Sequence, residues 1–227
     1  MIGILLQIAL VLAGSKDPAY TRGPTYTRGP TYTHGPTYTR GVVGRVFRPG
    51  AIVIVRVETS LGTIDIAVDG EHAPITAANF LKYVDGKFYD GGRFHRATRP
   101  DNYVPQLPER PPFQIVQADI NPDRAKEKFP PIPLERTVQT GLTHRLGTIS
   151  MPRGEKADSA TSGFVICLDE ATPSLDYLSQ RYPDGQGFAA FGHVVKGIDV
   201  VRRINRQPVK GQSLDPPVTI TRIARLQ

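Results

Sequence analysis

The alternation of hydrophobic and polar positions is clearest just past residue 50. Ala51–Thr59 (AIVIVRVET) is β-branched and alternates toward its end, which predicts a strand. Ser60-Leu61-Gly62 reads as a turn, and Thr63–Val68 (TIDIAV) alternates again, so the two runs predict a hairpin. Ala73–Val84 changes period: Pro74 suits a first helical turn, and Ala77, Phe80, Leu81 and Val84 fall on one face. Phe88–His95 predicts a turn and a strand. Further short strands are expected at Phe113–Ala118, Gly147–Met151, Gly163–Leu168, Ala190–Val195 and Val218–Ile223, with a second helix at Ile198–Asn205. About eight strands and two helices far apart in sequence predict a mainly β fold, a closed antiparallel barrel capped by two α-helices.

Before this region the pattern is of another kind. Residues 18–41 repeat a hexamer, PAYTRG, PTYTRG, PTYTHG, PTYTRG, in four copies without an aliphatic residue. Such units cannot bury a core, so 16–41 is expected to be a disordered low-complexity tail. Ile2–Ala13 is an apolar run of about a dozen residues, shorter than the ~20 of a membrane span. With the small residues Ala13-Gly14-Ser15 behind it, residues 1–15 read as a signal peptide and predict a periplasmic or secreted protein. No Lys or Arg precedes the run, which keeps open a cytoplasmic protein or a start upstream of the true one. The folded domain is placed at 42–227.

Composition supports this division. The 227 residues include 22 Gly and 21 Pro, too many for a helical bundle and in keeping with turns and a tail. Net charge is +7, of which residues 1–41 carry +3, so the domain retains only +4. That modest surplus gives no reason to expect a specific nucleic-acid partner. Cys167 is the only cysteine, which excludes an internal disulfide and a Cys-based zinc site. The five histidines (34, 72, 95, 144, 193) lack ligand spacing, and no Gly-x-Gly-x-x-Gly, Walker loop or His-Glu-x-x-His occurs. No metal or cofactor is expected. Cys167, in an apolar strand, reads as an inert buried thiol.

Six blocks then follow in order: Ala73-Pro74-Ile75-Thr76-Ala77-Ala78-Asn79-Phe80, Phe88-Tyr89-Asp90-Gly91, Phe94-His95-Arg96, Gly147-Thr148-Ile149-Ser150-Met151, Ser159-Ala160-Thr161-Ser162 and Phe191-Gly192-His193-Val194-Val195-Lys196-Gly197. Together they resemble a cyclophilin, a peptidyl-prolyl cis-trans isomerase, of the bacterial kind, over about Val53–Leu226. The resemblance implies an eight-stranded barrel with two helices and a substrate groove on its outside. It implies a monomer whose partners are proline-containing polypeptides, with cyclosporin-like ligands as further candidates.

By the same resemblance Arg96 is the essential arginine, donating to the prolyl nitrogen, and Gln117 orients the substrate backbone. His95, Phe113, Ile115, Met151, Phe164, Val165, Leu175 and Phe188 are the expected substrate-binding residues. Several positions depart from the family pattern. Val165 stands where a second aromatic lines the proline pocket, and Gly163 where a glutamine is usual. Ala118-Asp119 replaces a Gly-Gly pair. Phe113 comes one place before the expected groove phenylalanine, so Gln114 falls in that slot unless a bulge resets the register. Thr98–Pro112 (TRPDNYVPQLPERPP) reads as a proline-rich insertion beside the groove. Loss of side-chain contacts at Val165 and Gly163 predicts reduced activity, by roughly 1–3 kcal/mol of transition-state stabilisation. The alternative is a low-activity or inactive module that binds Pro-containing segments as a chaperone or scaffold.

Overall fold

The computed structural model describes residues 51–102, 113–179 and 183–226. The signal segment and hexamer tail expected at 1–41, and residues 103–112 of the proline-rich insertion, lie outside the described residues. The strands are β1 (Ile52–Thr59), β2 (Gly62–Asp69), β3 (Arg93–Thr98), β4 (Ile115–Asp119), β5 (Thr148–Met151), β6 (Phe164–Cys167), β7 (Ala189–Lys196), β8 (Val209–Lys210) and β9 (Ser213–Arg225). The helices are α1 (Pro74–Asp85), α2 (Thr137–Thr140) and α3 (Ile198–Asn205).

Eight strands run antiparallel in the order β1-β2-β7-β5-β6-β4-β3-β9, and β9 pairs back onto β1 to close the barrel. The two-residue β8 adds only a hairpin to β9. Closure removes the exposed edges that an open sheet would present. Strands β2 and β7 approach closely at Gly192, where a Cβ would come within 2.2 Å of the Ala67 carbonyl oxygen. Only glycine fits there.

The interior is built by the inward residues of each strand and by α1. Phe80 on α1 meets Tyr89, Phe164 and Phe191 at ring-centroid distances of 5.5, 5.5 and 5.3 Å. All four rings are fully buried. Each such pair contributes about 0.5–1.5 kcal/mol beyond the area it buries. No side chain next to α1 caps its N-terminus; Glu135, far along the chain, accepts from Ile75 N at 3.0 Å and Thr76 N at 2.8 Å. A carboxylate there also complements the positive end of the helix dipole.

The predicted hairpin, both helices and the remaining strands are present, with three differences. β9 runs from Ser213 instead of Val218, through Pro216 and Pro217. Proline cannot donate to a sheet ladder. Here Arg96 pairs with Ser213 and Phe94 with Val218, so residues 214–217 bulge opposite His95 alone and the prolines need no ladder bond. The second difference is that β4 begins at Ile115, not Phe113. The third is a set of short elements: β8, α2 and 3-10 turns at Pro122–Glu127 and Pro173–Leu175. These are too short for a periodic pattern to register.

Candidate active site

Side chains on a strand alternate between faces. On β4, Val116 and Ala118 face the barrel interior, while Ile115 and Gln117 face out. On β6, Phe164 and Ile166 face in, and Val165 and Cys167 face out. The outward apolar residues Ile115, Val165 and Cys167 join Phe113, Leu175 and Phe188 in a second apolar cluster, separate from the barrel core. A cavity of about 150 Å³ opens on this cluster, and Arg96, Gln117, Ser150, Pro152 and Arg153 complete its walls. A volume of that size can hold a benzene-sized molecule, so it suits a pyrrolidine ring.

The pairing of β3 with β4 sets Arg96 opposite Gln117. Arg96 Nη1 donates to Gln117 Oε1 at 3.1 Å. Its Nε and Nη2 both donate to Gln212 Oε1, at 3.0 and 2.6 Å. The β9 bulge puts Gln212 there, one residue before Ser213, which pairs with Arg96. Fixing the guanidinium at several N–H groups pre-sets a planar, permanently charged donor in the wall of this cavity.

The insertion leaves this register intact. Thr98 pairs with Ile115 across the β3–β4 ladder. Thr98 Oγ1 donates to the Phe113 carbonyl at 2.8 Å and accepts from Ile115 N at 3.1 Å. Asn205 Nδ2 donates to both the Thr98 and Ile115 carbonyls, at 3.1 and 3.0 Å. These bonds pinch the base of the insertion, so Arg96 and Gln117 meet despite the long chain between them. Of that stretch, residues 98–102 and Phe113 onward are described.

Seven of the ten expected residues line the cavity: Arg96, Gln117, Phe113, Ile115, Val165, Leu175 and Phe188. Three do not. Phe164 and Met151 are fully buried in the barrel core and cannot touch a substrate. The strand pleat explains both: each is adjacent to an outward residue, Val165 and Ser150, and therefore points inward. His95 sits at the register break of β3, opposite the β9 bulge, and is not among the lining residues. Burial holds its imidazole below the ordinary histidine value, followed by an opposing effect of Asp119.

The register question at Phe113 also resolves. Gln114 turns away, its backbone N and side-chain Nε2 donating to Asp169 at 2.6 and 3.0 Å. Phe113 lines the cavity. Its ring shares the apolar cluster with Val165, so the cavity keeps an aromatic wall although the family's second aromatic is a valine. A Cβ at Gly163 would stand 3.1 Å from Pro152 Cγ, so a longer side chain there requires Pro152 to shift.

Cavity residues that the sequence reading passed over are Ser150, Pro152 and Arg153, and Gln212 behind Arg96. Ser150 could have been found by alternation within Thr148–Met151. Gln212 has no local signal, because it lies in a turn 116 residues from Arg96. Arg153 is buried and ties two loops together. It donates to the Gly187 carbonyl at 2.8 Å, to the Gly154 and Glu155 carbonyls at 3.2 and 3.1 Å, and to Asp184 at 2.8 Å. Its hydrogen bond holds the Asp184 carboxyl below the usual carboxylate range. The guanidinium carbon also lies 5.4 Å from the Phe188 ring centroid. Cys167 backs the pocket, and burial pushes its thiol up to about 12. It is protonated at neutral pH and unreactive.

Comparison with known proteins agrees with this architecture. The family model described as cyclophilin type peptidyl-prolyl cis-trans isomerase/CLD matches residues 54–225. A peptidyl-prolyl cis-trans isomerase of Acinetobacter baylyi is 34% identical over 158 residues, covering 70% of this chain and 74% of that protein. Peptidyl-prolyl cis-trans isomerase A of Dickeya dadantii is 34% identical over 148 residues, covering 65% and 68%. Among solved structures, a cyclophilin type peptidyl-prolyl cis-trans isomerase of Cryptosporidium parvum superposes with a TM-score of 0.60 at 18% identity, over 78% of this chain and 99% of that one. The same protein has been solved in the presence of the dipeptide Ala-Pro. The chain belongs to the cyclophilin-type peptidyl-prolyl cis-trans isomerases, enzymes that speed rotation about the bond preceding proline.

Proposed function

We propose that the outer cavity takes the proline of an Xaa-Pro segment in a polypeptide substrate and that Arg96 supplies the main catalytic interaction. The barrier to rotation is about 18–20 kcal/mol, because the amide nitrogen is conjugated with its carbonyl. As the bond twists, conjugation is lost and the nitrogen becomes pyramidal and basic. A hydrogen bond donated to it is therefore stronger in the twisted state than in either planar state, which is the condition for catalysis. No bond is made or broken, so no nucleophile is needed. The observation that carries this reading is the guanidinium of Arg96, fixed by Gln212 and Gln117 in the wall of a cavity that also presents an apolar cluster. A donor fixed before the reaction loses nothing by reorganising during it.

Gln117 complements this role. Its amide oxygen accepts from Arg96, which leaves its NH2 group for a substrate carbonyl. Phe113, Ile115, Val165, Leu175 and Phe188 give the prolyl ring an apolar seat.

Two-dimensional NMR titration tests the seat. An Ala-Pro tetrapeptide should shift the backbone resonances of Gln117, Val165 and Leu175, while the matched Ala-Ala peptide should leave them in place. Equal responses to the two peptides, or shifts confined to β1 and β2 across the barrel, would contradict the assignment.

A further inference from the structure

Two walls of the cavity, Leu175 and Phe188, stand on segments outside the strands. Leu175 ends the 3-10 turn Pro173–Leu175, and Phe188 precedes β7. Neither position is set by a sheet ladder. One backbone bond, from Phe188 N to the Leu175 carbonyl at 2.9 Å, ties them to each other. The β5–β7 ladder begins only at Ala189, and short backbone turns hold Leu175, so side-chain bonds supply the further links between the two walls.

One buried side chain reaches all of the relevant segments. His144 has a fully buried imidazole. Its Nδ1 lies 2.6 Å from Asp176 Oδ1, on the residue that follows Leu175. Its Nε2 lies 2.7 Å from Ser150 Oγ, on the cavity-lining residue of β5. Ser150 Oγ in turn donates to the Ala189 carbonyl at 3.0 Å, on the residue that follows Phe188. The backbone of His144 adds two bonds: its N donates to Asp176 Oδ1 at 3.1 Å, and its carbonyl accepts from Thr172 N at 2.8 Å. The chain Asp176–His144–Ser150–Ala189 thus runs behind the pocket from one wall to the other.

The same residue types form nucleophilic triads in hydrolases, where the serine gives its proton to the imidazole. Here the arrangement differs. The Ser150 hydroxyl donates to the Ala189 carbonyl at 3.0 Å, and its other contact, His144 Nε2 at 2.7 Å, also lies within the fold. Ser150 is also fully buried. The geometry suits holding, not attack.

We propose that His144 is the positioning residue of the prolyl pocket, setting Leu175 and Phe188 through Asp176 and through Ser150. The proposal rests on the reading of this cavity as the proline site. A residue that only shapes the seat contributes equally to planar and twisted substrate, so its loss appears in KM and not in kcat. Misplacing pocket walls by a fraction of an ångström carries a corresponding penalty, and His144→Ala in the full chain should raise KM for an Ala-Pro tetrapeptide about tenfold. kcat should remain within about twofold of wild type. His144→Asn, whose short amide can keep a bond to Asp176, should recover part of the loss. Ser150→Ala cuts only the arm to Ala189 and should raise KM about threefold.

A folded His144→Ala protein with wild-type KM overturns the proposal. If His144→Ala does not fold, an unchanged KM in Ser150→Ala overturns it instead. Arg96→Ala, measured alongside, separates the location of the site from the role of His144. If kcat falls in Arg96→Ala while KM stays fixed in His144→Ala, the cavity is the site and His144 does not position it. If Arg96→Ala is as active as wild type, the site itself lies elsewhere.

Discussion

Replacing Arg96 with alanine is expected to lower kcat/KM toward an Ala-Pro peptide by about 10²–10³-fold, the usual cost of removing one preorganised donor from a charge-developing centre. Most of the loss should fall on kcat. The planar peptide bond has a weakly basic nitrogen and gains little from the guanidinium, while the twisted one gains much. Arg96→Lys should not restore activity. An ammonium keeps the charge but cannot accept the fixed planar geometry that Gln212 and Gln117 impose at three N–H groups. Stability should change little, because Arg96 is only half-buried and lies outside the barrel core. Coupled peptide kinetics with a thermal melt of each variant measures both quantities. An Arg96→Ala enzyme that melts normally and keeps its kcat contradicts the role given to the guanidinium.

The second large effect concerns two neighbouring residues on opposite faces of one strand. Phe164→Ala should destabilise the fold by about 3–5 kcal/mol, the range for deleting a buried aromatic from a core. Phe164 is fully buried and stands edge-on to Phe80, Tyr89 and Phe94 at 5.5, 5.6 and 5.8 Å. Val165→Ala should cost far less stability and appear chiefly as a raised KM, because Val165 faces the cavity. Urea unfolding with activity assays on both variants reads out this division. Similar stability losses with similar KM values would mean that the pleat does not sort the two side chains as described.

That pair also shows what could be read from the sequence and what could not. The hairpin β1–β2, helix α1 and helix α3 stand where their hydrophobic periods place them, because each is long enough to repeat its pattern. Arg96 and Gln117 were identifiable from a resemblance of short blocks, and the β3–β4 register does bring them together. The resemblance puts Phe164 and Met151 in the groove, whereas a groove takes alternate residues of a strand. Applying the period of two within each block would have exchanged Met151 for Ser150 and kept Val165 without Phe164. Gln212 was beyond local reasoning. It reaches Arg96 only because residues 214–217 bulge from the β3–β9 ladder; Pro216-Pro217 mark a break in pairing but do not say that Gln212 lands on Arg96. Phe113 was legible as an apolar residue, but its groove position depended on Gln114 turning to Asp169, a contact across 55 residues.

The departures from the family pattern acquire a physical account as well. Val165 withholds an aromatic from the pocket, yet Phe113 and Phe188 supply rings to the same cluster. Gly163 lies against Pro152, so the missing side chain is matched by a neighbour occupying its approach. The cavity walls differ from that pattern, while Arg96 remains among the lining residues.

The most direct test is magnetisation-exchange NMR between the cis and trans forms of an Ala-Pro peptide, with catalytic amounts of the full chain present. Uncatalysed interconversion takes tens to hundreds of seconds, too slow to register as exchange cross-peaks. Clear cis–trans cross-peaks are expected with the wild-type protein and none with Arg96→Ala. Cross-peaks absent from both, or equally strong in both, would contradict it.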